Sequence, residues 1–590
     1  MAKRSLLLII FGALIALAAL LVPGSVIETG IFGRGQGELS WGPSLFKVLL
    51  FIHGAIIAFV GFRDRFSTSG TLQSTGSAGD RVAGWEWVIL AVMTVVACAL
   101  RFWHLNTDLW VDEVLMLIDF VRKPFAEMVT SFPSQNQHML YSIIAKASIG
   151  VFGESAWAYR LPAVFFGIGS IWAIYFFARY LFGVREAILA AALMTFSYHH
   201  IWFSQNARGY TGLLCFAILA TWFWLKALTT NRSRWWTYYA VAVVFGLWVH
   251  LTMAFIIAAQ GLLYLFCLAV TALSGNRSSS LEHRAGLKPI IAWLLSFSVT
   301  LQLYALALPE FLRVGLHEES ADSEWTNPLW LITESLHSLS VGFAGIAVVL
   351  CGGLLVGFGW FSLFRRDRRA AVLMVLPAIL AGSTMLVLGH NLWPRFFFFS
   401  MGFGILIVIH GAAEFPKYVA SFVSNAYTRQ TAAYAGVAVA VMMVLVSAYT
   451  VPRNYALPKQ NFSGAKYFVE SNRLPGDVVV AVNLAGTMYG NYFAPDWGIA
   501  RTGDELKNLP NSSNRVWVVY TLPIEIRSVR PDIWQVIESD FDLVQVFPGT
   551  LNGGEVFVCR SRRVSESNNE ASPHVEKRRR ALWQAVEIRH

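Results

Sequence analysis

Apolar runs about as long as a bilayer is thick recur along this 590-residue chain, and they constrain its fold more than any other feature. Fourteen candidates fall at about 5–27, 45–62, 85–103, 138–153, 158–182, 186–203, 209–228, 236–251, 253–272, 288–309, 336–364, 370–389, 396–414 and 431–451. Within hydrocarbon every backbone N–H and C=O must be satisfied inside its own segment, so such runs are read as helices. With 56% hydrophobic and only 14% charged residues, the chain has too little polar surface for a soluble multidomain protein. The expectation is a polytopic α-helical membrane protein.

The formal charge of +10 does not point to nucleic acid, because the basic residues sit at the ends of apolar runs and form no interleaved patch. Their pattern is topological, since loops rich in Lys and Arg stay on the cytoplasmic side. Arg179 with Arg185, Arg232 with Arg234, Arg277 with Arg284 and Lys288, the group Arg365, Arg366, Arg368 and Arg369, and Lys417 with Arg429 all fall there if thirteen candidates cross. The run to leave out is 138–153, which is shorter than the ~20 residues a spanning helix needs and carries Lys146. It is expected to be re-entrant or juxtamembrane. Lys3 and Arg4 ahead of 5–27 resemble a secretory signal, but the run is long and no small-residue cleavage site follows. A retained first span with a cytoplasmic N-terminus is therefore expected, followed after the second span by a flexible Ser/Gly/Thr-rich loop at 63–84. This multi-pass topology, in a plasma (inner) membrane, gathers 104–137, 153–160, 204–208, the surroundings of His250, 313–328 and 390–395 on the outer face.

Past residue 451 the hydropathy falls and the pattern changes. Residues 464–472 and 531–540 read as helices, and 477–482, 515–520, 543–546 and 555–559 as strands, with a turn at Asn552-Gly553-Gly554. The organisation expected is a transmembrane domain over 1–451 with its first outer loop at 104–137, a small extracytoplasmic α/β domain over 452–560, and a charged, disordered tail over 561–590. Cys98, Cys215, Cys267 and Cys351 lie in apolar segments and Cys559 outside them, so no disulfide or metal-type pairing is implied.

The stretch 106–120, Asn-Thr-Asp-Leu-Trp-Val-Asp-Glu-Val-Leu-Met-Leu-Ile-Asp-Phe, places adjacent carboxylates just past a hydrophobic span. Val111, Val114, Leu115, Ile118 and Val121 follow helical spacing, while Asp112, Met116, Asp119 and Lys123 share another face, as on a helix lying at the membrane surface. With Asp108 as its cap, Asp112 and Glu113 fall in the first turn, where free N–H groups and the helix dipole favour the ionised form. The bland alternative is a solvated surface helix with a local Asp119–Lys123 pair. The outer loops also offer Arg160, Arg208, His250, His390 and Arg395, cations suited to a phosphate, although arginine at a membrane boundary is also a common snorkelling anchor.

Residues 109–113 (Leu-Trp-Val-Asp-Glu), 136–141 (Asn-Gln-His-Met-Leu-Tyr), 152–155 with 159–167, and 204–210 (Ser-Gln-Asn-Ala-Arg-Gly-Tyr) occur in an order that resembles the GT-C glycosyltransferases of the protein O-mannosyltransferase and aminoarabinose transferase type, glycosyltransferase family 39. The likeness is strongest over 100–230 and more diffuse to Trp393-Pro394-Arg395 and the C-terminal domain. It implies transfer of a hexose or pentose from a polyprenyl-phosphate-linked donor on the outer face. Asp112 then matches the family's acidic base, and Glu113 would position acceptor or base. His138, Arg160, Arg208, Tyr210, His390 and Arg395 are the candidate substrate-binding residues, with Arg208 and Arg395 preferred for the phosphate. Direct displacement assisted by one carboxylate inverts the anomeric centre. Two departures leave the acceptor open: His138-Met139-Leu140 stands where members often have His-Pro-Pro-Leu, and Thr211–Leu214 supplies no acid. A divalent metal would use His138 or His390 beside the acids, but no HxxxH or HxxE spacing is present and no resident cofactor is assigned. Rival readings are a transporter or flippase of a lipid-linked or small polar substrate, and an inactive relative acting as an assembly partner.

Overall fold

The computed structural model describes residues 2–66, 82–274, 280–315, 324–342, 345–422, 426–509 and 515–562. Arg277, the tail from 563 and most of the 63–84 loop lie outside the described residues. Among those described, nine helices are long and apolar enough to cross a membrane, and a tenth arises if Lys288–Tyr304 and Leu308–Val314, bent by 90°, form one span. The expected thirteen is not reached on that measure, for local reasons. The apolar part of the first helix, Ser5–Leu21, and the helix Ser233–Val249 are slightly short. The run 186–203 breaks at Ser197, between Val184–Phe196 and Tyr198–Ser204. Met139–Phe152 has 14 residues, roughly 21 Å of helix against roughly 30 Å of hydrocarbon.

Ala2–Leu21 and Gly42–Phe66 pack as a hairpin through glycines: a Cβ at Gly12 would lie 2.4 Å from the Ala58 nitrogen, and one at Gly54 2.6 Å from that of Ala16. Small residues allow such an approach where lipid supplies no hydrophobic drive. The helix Ala156–Leu181 runs through the core and is tied near both ends, Arg160 to Glu113 and Arg179 to Glu86. Those two arginines are separated by roughly 28 Å of helix, so Glu113 and Glu86 lie near opposite faces of the membrane. Met139–Phe152 sits on the Glu113 side, where Lys146 Nζ donates to the Val121 and Lys123 carbonyls at 2.8 and 2.6 Å.

The C-terminal region carries five strands, β1 (Val478–Val482), β2 (Gly498–Ala500), β3 (Val516–Thr521), β4 (Phe541–Phe547) and β5 (Val556–Ser561), in the order β2-β1-β3-β5-β4. β1 is parallel to β2 and β3, and β5 is antiparallel to β3 and β4. Four of the strands and both helices match the sequence reading; β2, with three residues, is too short to leave a periodic signal. Alternate strand residues serve two cores. Val480, Val482, Val518 and Phe557 pack against helices of their own domain, whereas Val479, Trp517, Val519 and Val558 join the core that contains Val111 and Val114. The sheet is thus packed onto the same body as the acidic helix.

Candidate active site

The acidic helix is Val111–Met116, capped by Trp110 and followed by a π-turn at Leu117–Val121. Asp108 is not its cap. Its carboxylate instead accepts from Ser463 N–H and Oγ at 2.7 and 2.8 Å. The orphan donors of the first turn are met from elsewhere: Trp110 N–H by Glu113 Oε2 at 3.2 Å, and Val111 N–H by Gln460 Oε1 at 2.9 Å. Gln460 is itself held, donating to Thr521 Oγ1 and the Gly554 carbonyl at 3.0 Å each. Met116, expected beside Asp112 on the polar face, lies before that turn and is fully buried, as are Val111, Glu113 and Val114, so tertiary packing covers more of the helix than its apolar stripe. Lys123 pairs with Glu127 at 3.2 Å, not with Asp119.

Glu113 and Arg160 are both 0% exposed and form a two-pronged pair, Nε to Oε1 at 2.8 Å and Nη2 to Oε2 at 2.6 Å. Glu113 Oε1 also accepts the Ala207 N–H at 2.5 Å. Burial pushes the Glu113 carboxyl up, but Arg160, Lys459 and the Ala207 N–H outweigh it and leave it below the usual carboxylate range. Arg160 Nη1 donates to the Leu105 and Thr107 carbonyls and Thr107 Oγ1, and Nη2 also to the Asp108 carbonyl. All five N–H donors of Arg160 therefore have partners within the protein. The sequence reading placed Glu113 and Arg160 at the substrate; the structure turns them onto each other and onto the loop 105–108.

Asp112, one residue earlier, points the other way. Its Oδ2 lies 3.3 Å from Arg395 Nη1 and makes no hydrogen bond to a described residue, and Arg395 Nε is likewise buried and unmatched. Arg208 stands beneath, donating from Nη1 to the Asn136 and Asp112 carbonyls at 2.9 and 3.4 Å, with Nη2 3.1 Å from His138 Nε2. His138 Nδ1 accepts the Gly209 N–H at 2.8 Å, an approach a Cβ at Gly209 would block at 2.6 Å. Tyr210 and His250 complete the cluster edge-on to the His138 ring, at 5.3 and 4.5 Å. Burial, reinforced by Arg208 and Arg395, holds His138 well below the usual histidine range and pushes His250 down to about 3. The positive charge of the cluster therefore resides on the two arginines. His390 is apart from it: it is half-buried, its backbone N–H donates to the Met385 carbonyl at 2.9 Å, and none of its described contacts reaches Asp112 or Arg208.

Arg395 lines a cavity of about 1510 Å³. Its deep walls are apolar, including Val349, Val356, Ile405, Met442 and Met443, while Trp110, Trp202, Glu334, Asn552 and Glu555 line its polar end. Arg395 sits over Trp393 at 4.7 Å and Trp110 at 5.7 Å. Sequence reasoning did not find Trp110, Lys459 or Gln460. Lys459 is buried, donates to the Gln205 carbonyl and lies 5.0 Å from the Trp202 ring centroid. Trp110 stands in the 109–113 motif without a role of its own there, and no motif marks Lys459 or Gln460, whose partners Gln205 and Val111 are hundreds of positions away in the chain. Among the described residues, no group of three or more His, Cys, Asp or Glu is placed to hold a metal ion.

Residues 136–287 match the model of the family described as dolichyl-phosphate-mannose-protein mannosyltransferase. This segment carries the pattern of a GT-C glycosyltransferase family. His138, Arg160, Arg208, Tyr210 and His250 fall inside the GT-C segment, Asp112 precedes it and Arg395 follows it. Solved structures similar to the chain include ArnT from Cupriavidus metallidurans (14% identity, 81% of this chain and 98% of that one, TM-score 0.46), solved both apo and bound to undecaprenyl phosphate. They also include the Archaeoglobus fulgidus oligosaccharyltransferase (11%, 79% and 72%, TM-score 0.44) and the arabinosyltransferase EmbB from Mycobacterium smegmatis (13%, 70% and 45%, TM-score 0.41). No characterised protein matches the sequence significantly.

Proposed function

We propose that this chain is an integral membrane glycosyltransferase that moves a sugar from a polyprenyl-phosphate carrier to an acceptor hydroxyl on the outer face, with Asp112 as general base. The observation that carries this reading is the Asp112–Arg395 pair, whose arginine lines a long, largely apolar cavity. The GT-C pattern over residues 136–287 supports it. The apolar walls suit a polyprenyl chain, and Arg395 and Arg208 suit its phosphate. With Nδ1 of a neutral His138 accepting from Gly209, its Nε2 carries the proton and faces a second donor on Arg208, a juxtaposition that an anion accepting from both would relieve. Asp112 takes the proton of the acceptor hydroxyl as its oxygen attacks the anomeric carbon. The bond from that carbon to the phosphate oxygen breaks, the electron pair leaves with the lipid phosphate, and the arginines stabilise the charge that develops. Attack opposite the leaving group inverts the centre. No second acid is required, because the phosphate is already a good leaving group.

The test is Asp112→Asn in membranes supplied with labelled polyprenyl-phosphate hexoses and pentoses. Loss of transfer from a normally folded variant is expected. Undiminished transfer removes Asp112 as base, and movement of the lipid-linked sugar across the bilayer without a new glycosidic bond establishes a flippase instead.

A further inference from the structure

We infer that the polar end of the cavity, between the Pro328–Gly342 helix and the loop joining β4 to β5, binds a neutral, hydroxyl-rich glycan that is the acceptor of the transfer. This assignment rests on the glycosyltransferase reading and extends it to the second substrate. The loop and the helix are already in contact, Asn552 Nδ2 donating to the two Glu334 carboxylate oxygens at 2.9 and 3.2 Å, and the loop is also held from the helix Tyr198–Ser204, where Trp202 Nε1 donates to Thr550 Oγ1 at 2.9 Å. Glu555 lines the same cavity, and its Oε2 is buried with no hydrogen-bond partner among the described residues. A buried carboxylate oxygen calls for donors, and sugar hydroxyls supply them in adjacent pairs.

The aromatic groups agree. Trp393 packs against Trp325 at 4.6 Å and edge-on against Trp330 at 5.5 Å, and all three line the cavity. Indole faces, with their negative quadrupole, suit the C–H face of a sugar ring. Trp393 and Trp110 both lie under Arg395, and Trp110 meets Trp202 in a tilted contact at 6.1 Å, so indoles bridged by Arg395 lead from this end of the cavity to the Asp112–Arg395 pair. The two carboxylates disfavour a phosphorylated acceptor through like-charge repulsion. An extended peptide typically adds to an open strand edge, whereas this site is built from side chains of a loop and a helix. The loop is also tied to the acidic helix, because the Gly554 carbonyl accepts from Gln460, which holds Val111 N–H. Occupancy of the loop and the position of Asp112 therefore share one hydrogen-bonded link.

Binding to the full-length purified protein is measured by intrinsic tryptophan fluorescence, without donor. The probes are neutral trisaccharides of mannose, glucose, galactose and arabinose, mannose 6-phosphate, and a Ser/Thr-rich peptide. At least one neutral trisaccharide is expected to bind, and Glu555→Gln, Glu334→Ala and Asn552→Ala are each expected to weaken it tenfold or more at unchanged melting temperature. The inference is overturned if no trisaccharide binds, if the peptide or the phosphorylated sugar binds in its place, or if all three variants stay within twofold of the parent protein. Trisaccharide binding with no transfer to it from any polyprenyl-phosphate sugar counts against the glycosyltransferase reading and leaves the glycan site standing.

Discussion

Asp112 and Glu113 are neighbours in one helical turn, each meets an arginine from a distant part of the chain, and the two ion pairs are opposites. Glu113 and Arg160 are sealed from solvent with every donor of the arginine matched. Asp112 and Arg395 are 13% and 24% exposed at the side chain, sit 3.3 Å apart and retain unmatched polar atoms. A saturated pair has no valence left for a ligand, so its role is to hold the loop 105–108, the Ala207 turn and the acidic helix together. A loose pair at a cavity exchanges partners cheaply, which is what a base and a phosphate-binding cation require.

Four experiments separate the two pairs. The largest contrast is expected between Asp112→Asn and Glu113→Gln. The first lowers transfer by about 10²–10⁴ with little change in melting, and the second destabilises the fold by about 3–5 kcal/mol because it leaves Arg160 charged and buried. Equal rate losses with unchanged melting in both would erase the distinction. Next, the double substitution of Glu113→Leu with Arg160→Met should cost less than the two single changes added together, since neither charge is left buried alone, but it should stay well below the parent, because the Leu105, Thr107 and Asp108 carbonyls and the Ala207 N–H lose their partners; denaturation midpoints in detergent read this out. A smaller effect is expected from Gln460→Leu, which strips Val111 N–H of its acceptor at a cost of about 1–3 kcal/mol. Its kcat should fall because the variant misplaces Asp112, with a smaller rise in KM through the cavity-lining loop whose Gly554 carbonyl Gln460 also holds; a pure KM effect would contradict this.

The smallest signal is a pH slope. Burial, with Arg160 adding to it and Glu113 opposing it, pushes the Lys459 ammonium down to about 7, against about 10.4 in an unfolded chain. Between those values the unfolded state binds more protons, so this contribution raises stability as pH climbs from about 7 toward 10 and is lost again as pH falls back through 7. Melting curves of the parent protein and of Lys459→Met should diverge over that window, the variant having the flatter profile.

Much of this was legible in the sequence. Each of the fourteen apolar runs corresponds to helical structure, because hydrophobic length is a local property; which runs cross is less local, as the break at Ser197 and the 90° bend after Tyr304 show. The strands β1 and β3 announced themselves as short β-branched runs and β4 and β5 as further strands, while β2 did not. Asp112, Arg208 and Arg395 were picked out by motif order and by loop placement. The periodicity of 111–121 misled at Met116, because other parts of the chain cover this helix beyond the single apolar stripe that such an argument assumes.

The sequence by itself determined that this is a helical membrane protein with a GT-C segment, adjacent acids after an early span, and a small α/β region at its end. The folded arrangement of distant segments settles which acid meets the cavity-lining Arg395. Residues 112 and 113 differ by one step of roughly 100° around a helix, and both sit in the first turn with the same dipole and the same free N–H groups. What distinguishes them comes from elsewhere in the chain: Arg160 from the neighbouring span and Ala207 from the 204–208 turn on one side, Arg395 from beyond residue 390 on the other, and Gln460 fixing the helix start between them. Contacts between residues so far apart in the chain leave no periodic trace in it, and here they separate a sealed, fully paired carboxylate from one that keeps an unmatched oxygen beside Arg395.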